Sequence, residues 1–111
     1  MELEPTDSPL KELSQIDPQR AVHLAELFQA LSDQSRVLII AVLVNGPKNV
    51  SSIAEETGFS ESSVSHHLRG LRLLRLVKTE KQGRNVFYHI DDHHVLDILK
   101  CGYDHVVHSF R

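Results

Sequence analysis

The sequence has little cysteine, no long apolar run and no net positive charge, and each shortage narrows the class of protein. The single cysteine among 111 residues, Cys101, excludes a disulfide within the chain and is typical of a reducing cytoplasm. No segment approaches the roughly 20 apolar residues of a membrane-spanning helix, and the N-terminus lacks a secretory pattern. We therefore expect a cytoplasmic protein without a membrane partner, with one domain and one modest core.

The net charge of −3 conceals an uneven distribution of charge along the chain. Residues 1–35 hold seven acidic and two basic residues. Residues 60–90 hold two acidic residues and six basic ones, Arg69, Arg72, Arg75, Lys78, Lys81 and Arg84, so that the local balance is +4. A positive patch of this kind attracts a nucleic-acid backbone, whatever the sign of the total charge.

The first half of the chain predicts an arm followed by two helices. Residues 1–16 are an acidic N-terminal arm, with a short helix near Leu10–Ile16, and residues 17–111 form one domain. Asp17 and Pro18 are typical of a helix start, and this helix should run to about Leu31. Ser32-Asp33 caps the next helix, from Gln34 to Asn45, whose almost wholly apolar run predicts the central core helix.

The second half predicts a helix-turn-helix, a hairpin and a last helix. A short helix opens at Ser51 or Ser52, and a Gly-Phe-Ser turn leads to a longer helix, capped by Ser60, that ends near Leu74. Its core stripe is Val64, Leu68, Leu71 and then Leu74 or Arg75. Residues 77–81 and 86–90 alternate as strands around a basic tip, and Asp91-Asp92 caps a helix that reaches about Ser109. The fold class is α+β, mostly helical.

The longer helix and the hairpin tip together predict a DNA-binding surface. The helix would enter the major groove, and the hairpin tip would contact phosphate or the minor groove. The predicted DNA-binding residues are Ser60, Ser62, Ser63, Ser65, His66, Arg69, Lys81 and Arg84. The alternative is a solvated basic face with no partner. His67 falls on the inner side of the helix and is interpreted as structural.

The last helix carries a D-x-H-x10-H-x2-H pattern formed by Asp92, His94, His105 and His108. His94 and His105 face the same way, because eleven residues are close to three turns, but they lie about 16 Å apart along the helix. Zinc–ligand bonds are only about 2 Å, so one helix cannot bring both pairs to one ion. Two antiparallel copies can, which predicts a homodimer with two symmetric metal sites.

The donor set indicates which metals the pattern could bind. Three imidazoles and a carboxylate without a thiolate suit Zn(II), Co(II) or Ni(II), and a closed set of four favours tetrahedral Zn(II). Ni(II) would need further donors, for which His93 or the N-terminal arm are candidates. The alternative is a helix surface with solvated histidines. Against it, positions 94, 98, 101, 105 and 108 follow the spacing of a helix-pairing seam, with Ile98 and Cys101 in the middle.

Three stretches resemble the arsenic-repressor (ArsR/SmtB-type) winged-helix metalloregulators. Residues 30–36 resemble the opening of the family's core helix, residues 59–71 its recognition helix, and residues 81–88 its wing. The resemblance covers about residues 20–108. It implies a homodimeric winged-helix repressor that leaves an inverted-repeat operator when metal binds. Asp92, His94, His105 and His108 match the intersubunit site of the zinc-sensor branch.

The resemblance also implies a route by which the metal site is coupled to the recognition helix, and the chain departs from the family pattern in one place. The coupling would be a hydrogen bond from the second nitrogen of His105 toward the C-terminal end of the recognition helix. The departure is at residues 48–52, where other members carry cysteines and this chain has none, so a thiolate site for arsenic, cadmium or lead is not expected. Two alternative hypotheses remain open. The protein could be a transcriptional regulator that is constitutive or answers a different signal, or it could be a small metalloenzyme. A saturated four-ligand site and the lack of a nucleophile motif disfavour the enzyme.

Overall fold

The computed structural model describes residues 10–110. The elements in chain order are α1 (Lys11–Ser14), α2 (Pro18–Ala30), α3 (Gln34–Leu43), α4 (Val50–Thr57), α5 (Glu61–Leu73), β1 (Val77–Gln82), β2 (Asn85–Ile90) and α6 (His93–Ser109). Helix α1 occupies the place where a short helix was expected. Residues 1–9 of the predicted arm lie outside the described residues.

A side-chain cap precedes each of the five longer helices. The caps are Asp17, Asp33, Asn49, Ser60 and Asp92, and each accepts a hydrogen bond of 2.7–3.2 Å from a backbone N–H two or three residues further on. Such bonds satisfy N–H groups that have no partner within the helix. Short polar residues before apolar runs therefore decide where the helices begin.

Two of the predicted helix boundaries were wrong. Helix α4 begins at Val50 rather than at Ser51 or Ser52, because the side chain of Asn49 accepts the N–H of Ser52 at 2.8 Å. Helix α3 ends at Leu43 rather than at Asn45, since the chain turns toward Gly46, whose φ of 134° lies outside the helical region.

The core is built around helix α3, as predicted. Ile39, Ile40 and Leu43 from this helix are at most 2% exposed. They pack in one cluster with Ile53 of α4 and with the stripe Val64, Leu68 and Leu71 of α5. Because α4 and α5 share this core with α3, the helix-turn-helix is held on a rigid support.

The core stripe of α5 ends earlier than predicted. Leu74 is 37% exposed and Arg75 is also exposed, so neither extends the stripe. Arg75 has a φ of 59°, and the N–H of Leu76 donates back to the carbonyl of Leu71 at 2.9 Å. This is a Schellman ending, which reverses the chain and brings Leu76 into the next core position.

Strands β1 and β2 form an antiparallel hairpin that runs from the Val77–Ile90 pair to the Gln82–Asn85 pair. A two-residue turn closes it, with Gly83 at a φ of 62°. The backbone of Lys48 exchanges two hydrogen bonds with Tyr88, of 3.0 and 2.8 Å, and so ties the hairpin to the loop after α3. A helix-turn-helix followed by such a wing is the winged helix-turn-helix fold that the sequence predicted.

Helices α2 and α6 are attached to this body by one end only. Ala30 is the single buried residue of α2, and Val95 is the single buried residue of α6. From Cys101 to Phe110 every residue is exposed except Asp104, which is half-buried. Within residues 10–110, none of the helices combines the length and apolar character needed to cross a bilayer.

Candidate DNA interface and metal centre

The turn between α4 and α5 is fixed by local hydrogen bonds. Gly58 has a φ of 81° and its N–H donates to the carbonyl of Ala54 at 2.8 Å. The hydroxyl of Thr57 donates to the carbonyl of Ile53 at 2.7 Å and accepts the N–H of Phe59 at 3.3 Å. The left-handed conformation at Gly58 is open to glycine without steric cost, so the sequence sets the angle between the two helices.

The predicted DNA-binding residues of α5 differ in exposure: some form an exposed line along the helix, and others lie beside that line or at the helix N-terminus. Ser62, His66 and Arg69 are exposed on the side of α5 opposite its buried stripe. Ser63 and Ser65 are half-buried beside this line. The hydroxyl of Ser60 caps the helix by accepting the N–H of Ser63 at 3.0 Å, which places it at the helix N-terminus.

The cations between residues 69 and 84 are free to meet an anionic partner. Lys81 and Arg84 are exposed at the tip of the wing. Arg72, Arg75 and Lys78, which are not among the predicted DNA-binding residues, are exposed as well. In the part of the chain that the structure describes, the ion pairs use Arg20, Lys48, Lys100 and two histidines, and none of the six bases from Arg69 to Arg84.

One pair of predicted metal ligands already lies together. The Oδ1 atom of Asp92 accepts the backbone N–H of His94 at 2.8 Å and lies 3.3 Å from Nδ1 of the same imidazole. Two donors about 2 Å from a tetrahedral ion are about 3.3 Å apart, so this spacing fits zinc. Desolvation raises the pKa of Asp92, but the backbone N–H and the charge of His94 outweigh it, and the pKa lies below its ordinary value.

The other pair lies at the far end of the same helix. His105 and His108 are both exposed and, three residues apart, sit on adjacent turns. Within the described part of this single chain, no group of three or more histidine, cysteine, aspartate or glutamate side chains could hold an ion. The structure therefore brings Asp92 to His94 but does not bring this pair to His105 and His108.

Comparison with known proteins identifies the family. The sequence profile of the bacterial regulatory proteins of the arsR family matches residues 33–79. A transcriptional repressor SmtB homolog from Synechocystis is 38% identical over 105 residues, covering 90% of this chain and 80% of the relative. The chain belongs to the arsR family of bacterial regulatory proteins. Its members are transcription regulators that bind operator DNA, not enzymes, so the metalloenzyme reading is set aside.

Two further arsR-family relatives cover most of the chain. NmtR, a transcriptional regulator of Mycobacterium tuberculosis, is 41% identical over 93 residues. The solution structure of apo-NmtR has a TM-score of 0.72 and covers 84% of this chain and 78% of that chain. A homolog of the cadmium resistance regulatory protein CadC from Staphylococcus aureus is 38% identical over 88 residues, covering 78% of this chain and 73% of the relative.

Proposed function

We propose that this arsR-family protein is a cytoplasmic, homodimeric repressor that Zn(II), or alternatively Co(II) or Ni(II), releases from its operator. Residues 17–111 would act as one DNA-binding and dimerisation domain. The observation that carries the proposal is the division of four donors between the two ends of α6. Asp92 and His94 are already paired at 3.3 Å, whereas His105 and His108 are exposed about 16 Å away along the helix.

The surface of α6 supports pairing with a second copy. Its free half presents large apolar side chains to solvent, including Tyr103 at 64% exposure, and Phe110, which directly follows the helix, is 81% exposed. Helix α2 adds Val22 and Phe28, each more than half exposed. Covering an unpartnered apolar face is favourable. Antiparallel pairing of two α6 helices along the line of His94, Cys101 and His105 would complete two equivalent sites, and the apolar side chains, on the opposite face of α6, would be open to the other helices of the second copy.

The donor chemistry supports a borderline ion rather than a soft one. Asp92 would supply a carboxylate oxygen while it still caps α6, and His94, His105 and His108 would supply neutral imidazole nitrogens. A bound divalent ion would link the two helices through direct ligation and fix their relative placement. The second nitrogen of each imidazole would remain free to donate a hydrogen bond, and that of His105 is proposed to reach toward the end of α5.

The DNA-binding role would rest on α5 and the wing. In each copy the exposed line of α5 would enter a major groove, and Lys81 and Arg84 would contact phosphate or the minor groove. Two copies would then read half-sites separated by about 10 base pairs or a multiple of it. Metal would release DNA by favouring a spacing of the two α5 helices that fits these half-sites poorly, and DNA would weaken metal binding by the same factor.

A Co(II) titration of the purified protein, followed by visible absorption, tests the metal assignment. We expect intense tetrahedral bands that saturate at about one ion per chain and are displaced by Zn(II). His105→Ala should lose these bands and metal release from a duplex selected in vitro, yet keep affinity for that duplex. His23→Ala, an exposed histidine of α2, is the matched control and should behave as wild type.

Weak six-coordinate bands would favour Ni(II) or Co(II) with additional ligands. If the dimer binds DNA and takes up no metal, the metal assignment is wrong. The protein would then be a winged-helix regulator that is constitutive or answers a non-metal signal.

A further inference from the structure

Arg36 connects the core helix to the recognition helix. It lies in the first turn of α3, and its half-buried side chain crosses to α5. There its Nε donates to Nδ1 of His67 at 3.4 Å. This distance is long for a hydrogen bond, so the contact depends on packing as well as on the bond.

The guanidinium of Arg36 occupies the space that a side chain at Gly70 would need. A Cβ atom on Gly70 would lie 2.7 Å from Nη2 and 3.2 Å from Cζ of Arg36. Gly70 is not among the glycines with positive φ, so its backbone alone does not call for glycine. Glycine inside a helix costs roughly 1 kcal/mol relative to alanine. A larger residue at Gly70 would therefore require the guanidinium of Arg36 to move.

The chemistry of this contact is specific to arginine. The guanidinium is always charged and donates only, so Nδ1 of His67 must be the unprotonated nitrogen of a neutral ring. Lysine has neither the Nε donor nor a planar group to lie flat against a glycine. Asp33 caps the same helix, and its pKa is lowered first by the backbone N–H of Arg36 and also by the nearby charge of Arg36.

The contact of Arg36 with His67 and Gly70 lies where it can affect the rotation of α5 about its own axis. His67 and Gly70 are three residues apart on the flank of α5, between its buried stripe and the exposed line of Ser62, His66 and Arg69. The buried stripe holds α5 against the core from one direction, and Arg36 holds it from a second. Two directions of contact fix the rotation of a helix about its own axis, and this rotation decides which side chains face a DNA groove.

We infer that Arg36 is a positioning residue for DNA reading, which sets the rotation of α5 through His67 and Gly70. The inference rests on the proposed role of α5 in the major groove. It does not depend on the metal site.

The test is a double-mutant cycle with Arg36→Ala, Gly70→Ala and the combined variant. Each is measured for affinity toward a selected duplex, affinity toward an unrelated duplex, and thermal midpoint. We expect Arg36→Ala to weaken the selected duplex by about tenfold, equivalent to about 1.4 kcal/mol, and the unrelated duplex by less than about twofold. Arg36→Lys should not restore the preference. Arg20→Ala, an exposed arginine of α2, is the control.

Gly70→Ala gives the decisive comparison, since it should weaken selective binding only when Arg36 is present to be displaced. In the Arg36→Ala background it should leave affinity unchanged and raise the thermal midpoint. Additive effects, or an equal loss toward both duplexes, would overturn the inference. The same cycle applied to the thermal midpoints measures the coupling between Arg36 and Gly70 in the absence of DNA. A wild-type protein with no preference among duplexes would instead refute the proposed reading role and this inference together.

Discussion

The wing makes a quantitative prediction about the salt dependence of DNA binding. Lys81 and Arg84 are exposed at the hairpin tip and belong to no ion pair among residues 10–110. Replacing both with alanine should therefore leave the fold intact. In the proposed dimer the double variant removes four positive charges from the DNA-facing surface.

The magnitude follows from the release of counterions. Each neutralised phosphate contributes about −0.9 to the slope of log affinity against log salt, so the loss of four contacts should make the slope shallower by about 3.6. Between 50 and 200 mM salt, wild-type affinity should therefore fall by roughly 150-fold more than that of the variant.

Fluorescence anisotropy with a labelled duplex at several salt concentrations measures this slope. The control is Lys11→Ala with Arg20→Ala, which removes the same charge from α1 and the first turn of α2, outside the proposed DNA-binding elements. We expect the control to keep the wild-type slope. An unchanged slope in the wing variant, or an equal change in the control, would show that the wing does not contact phosphate.

Three further predictions concern the core, the caps and the helix pair. Leu68→Ala, at a fully buried position, should lower the free energy of unfolding by about 2–5 kcal/mol in urea titrations, and a loss under about 1 kcal/mol would contradict the described core. The pKa of Asp17 is lowered by the backbone N–H and side chain of Arg20, and the pKa of Asp33 by the backbone N–H of Arg36. Each ionised carboxylate therefore stabilises the folded state above the unfolded pKa of about 3.9, and this stabilisation is lost as the pH falls through the folded pKa. Asp17→Asn with Asp33→Asn should therefore flatten the acid side of the stability profile, and an unchanged profile would refute this. If two antiparallel α6 helices cross near residue 100, the two Cys101 side chains should lie within about 10 Å of each other. A short bifunctional thiol reagent should then crosslink the two copies. A product that is only monomeric would refute this register of the helix pair.

Local patterns predicted most of the fold. Asp17, Asp33 and Ser60 act as caps because a short polar side chain before an apolar run satisfies free N–H groups, and the sequence displays this directly. Asn49 caps α4 for the same reason, but two serines beside it offered an equally good local signal. The end of the α5 stripe was missed because arginine at a positive φ is uncommon, and glycine would have marked that turn.

The candidate sites differ in how far sequence could predict them. All four proposed metal ligands lie at the start of α6 or within it, so the ligand pattern can be recognised from the helical repeat in the sequence. The spacing predicts that the two ends meet through a second copy, and the described residues of one chain do not complete a site by themselves. The contact between Arg36 and His67 joins residues 31 positions apart, and Gly70 has no local sign of its role. Only the packing of α3 against α5 reveals it.

The central claim is that each metal site takes its ligands from two copies of the chain. Mixing two defective variants tests it most directly, one with Asp92→Ala and His94→Ala, the other with His105→Ala and His108→Ala. After unfolding and refolding together, each mixed dimer should regain one intact site. Tetrahedral Co(II) absorption should then reach about one quarter of the wild-type signal, since about half of the dimers are mixed and each has one of its two sites. If both variants alone and the refolded mixture show no such absorption, the shared site is contradicted.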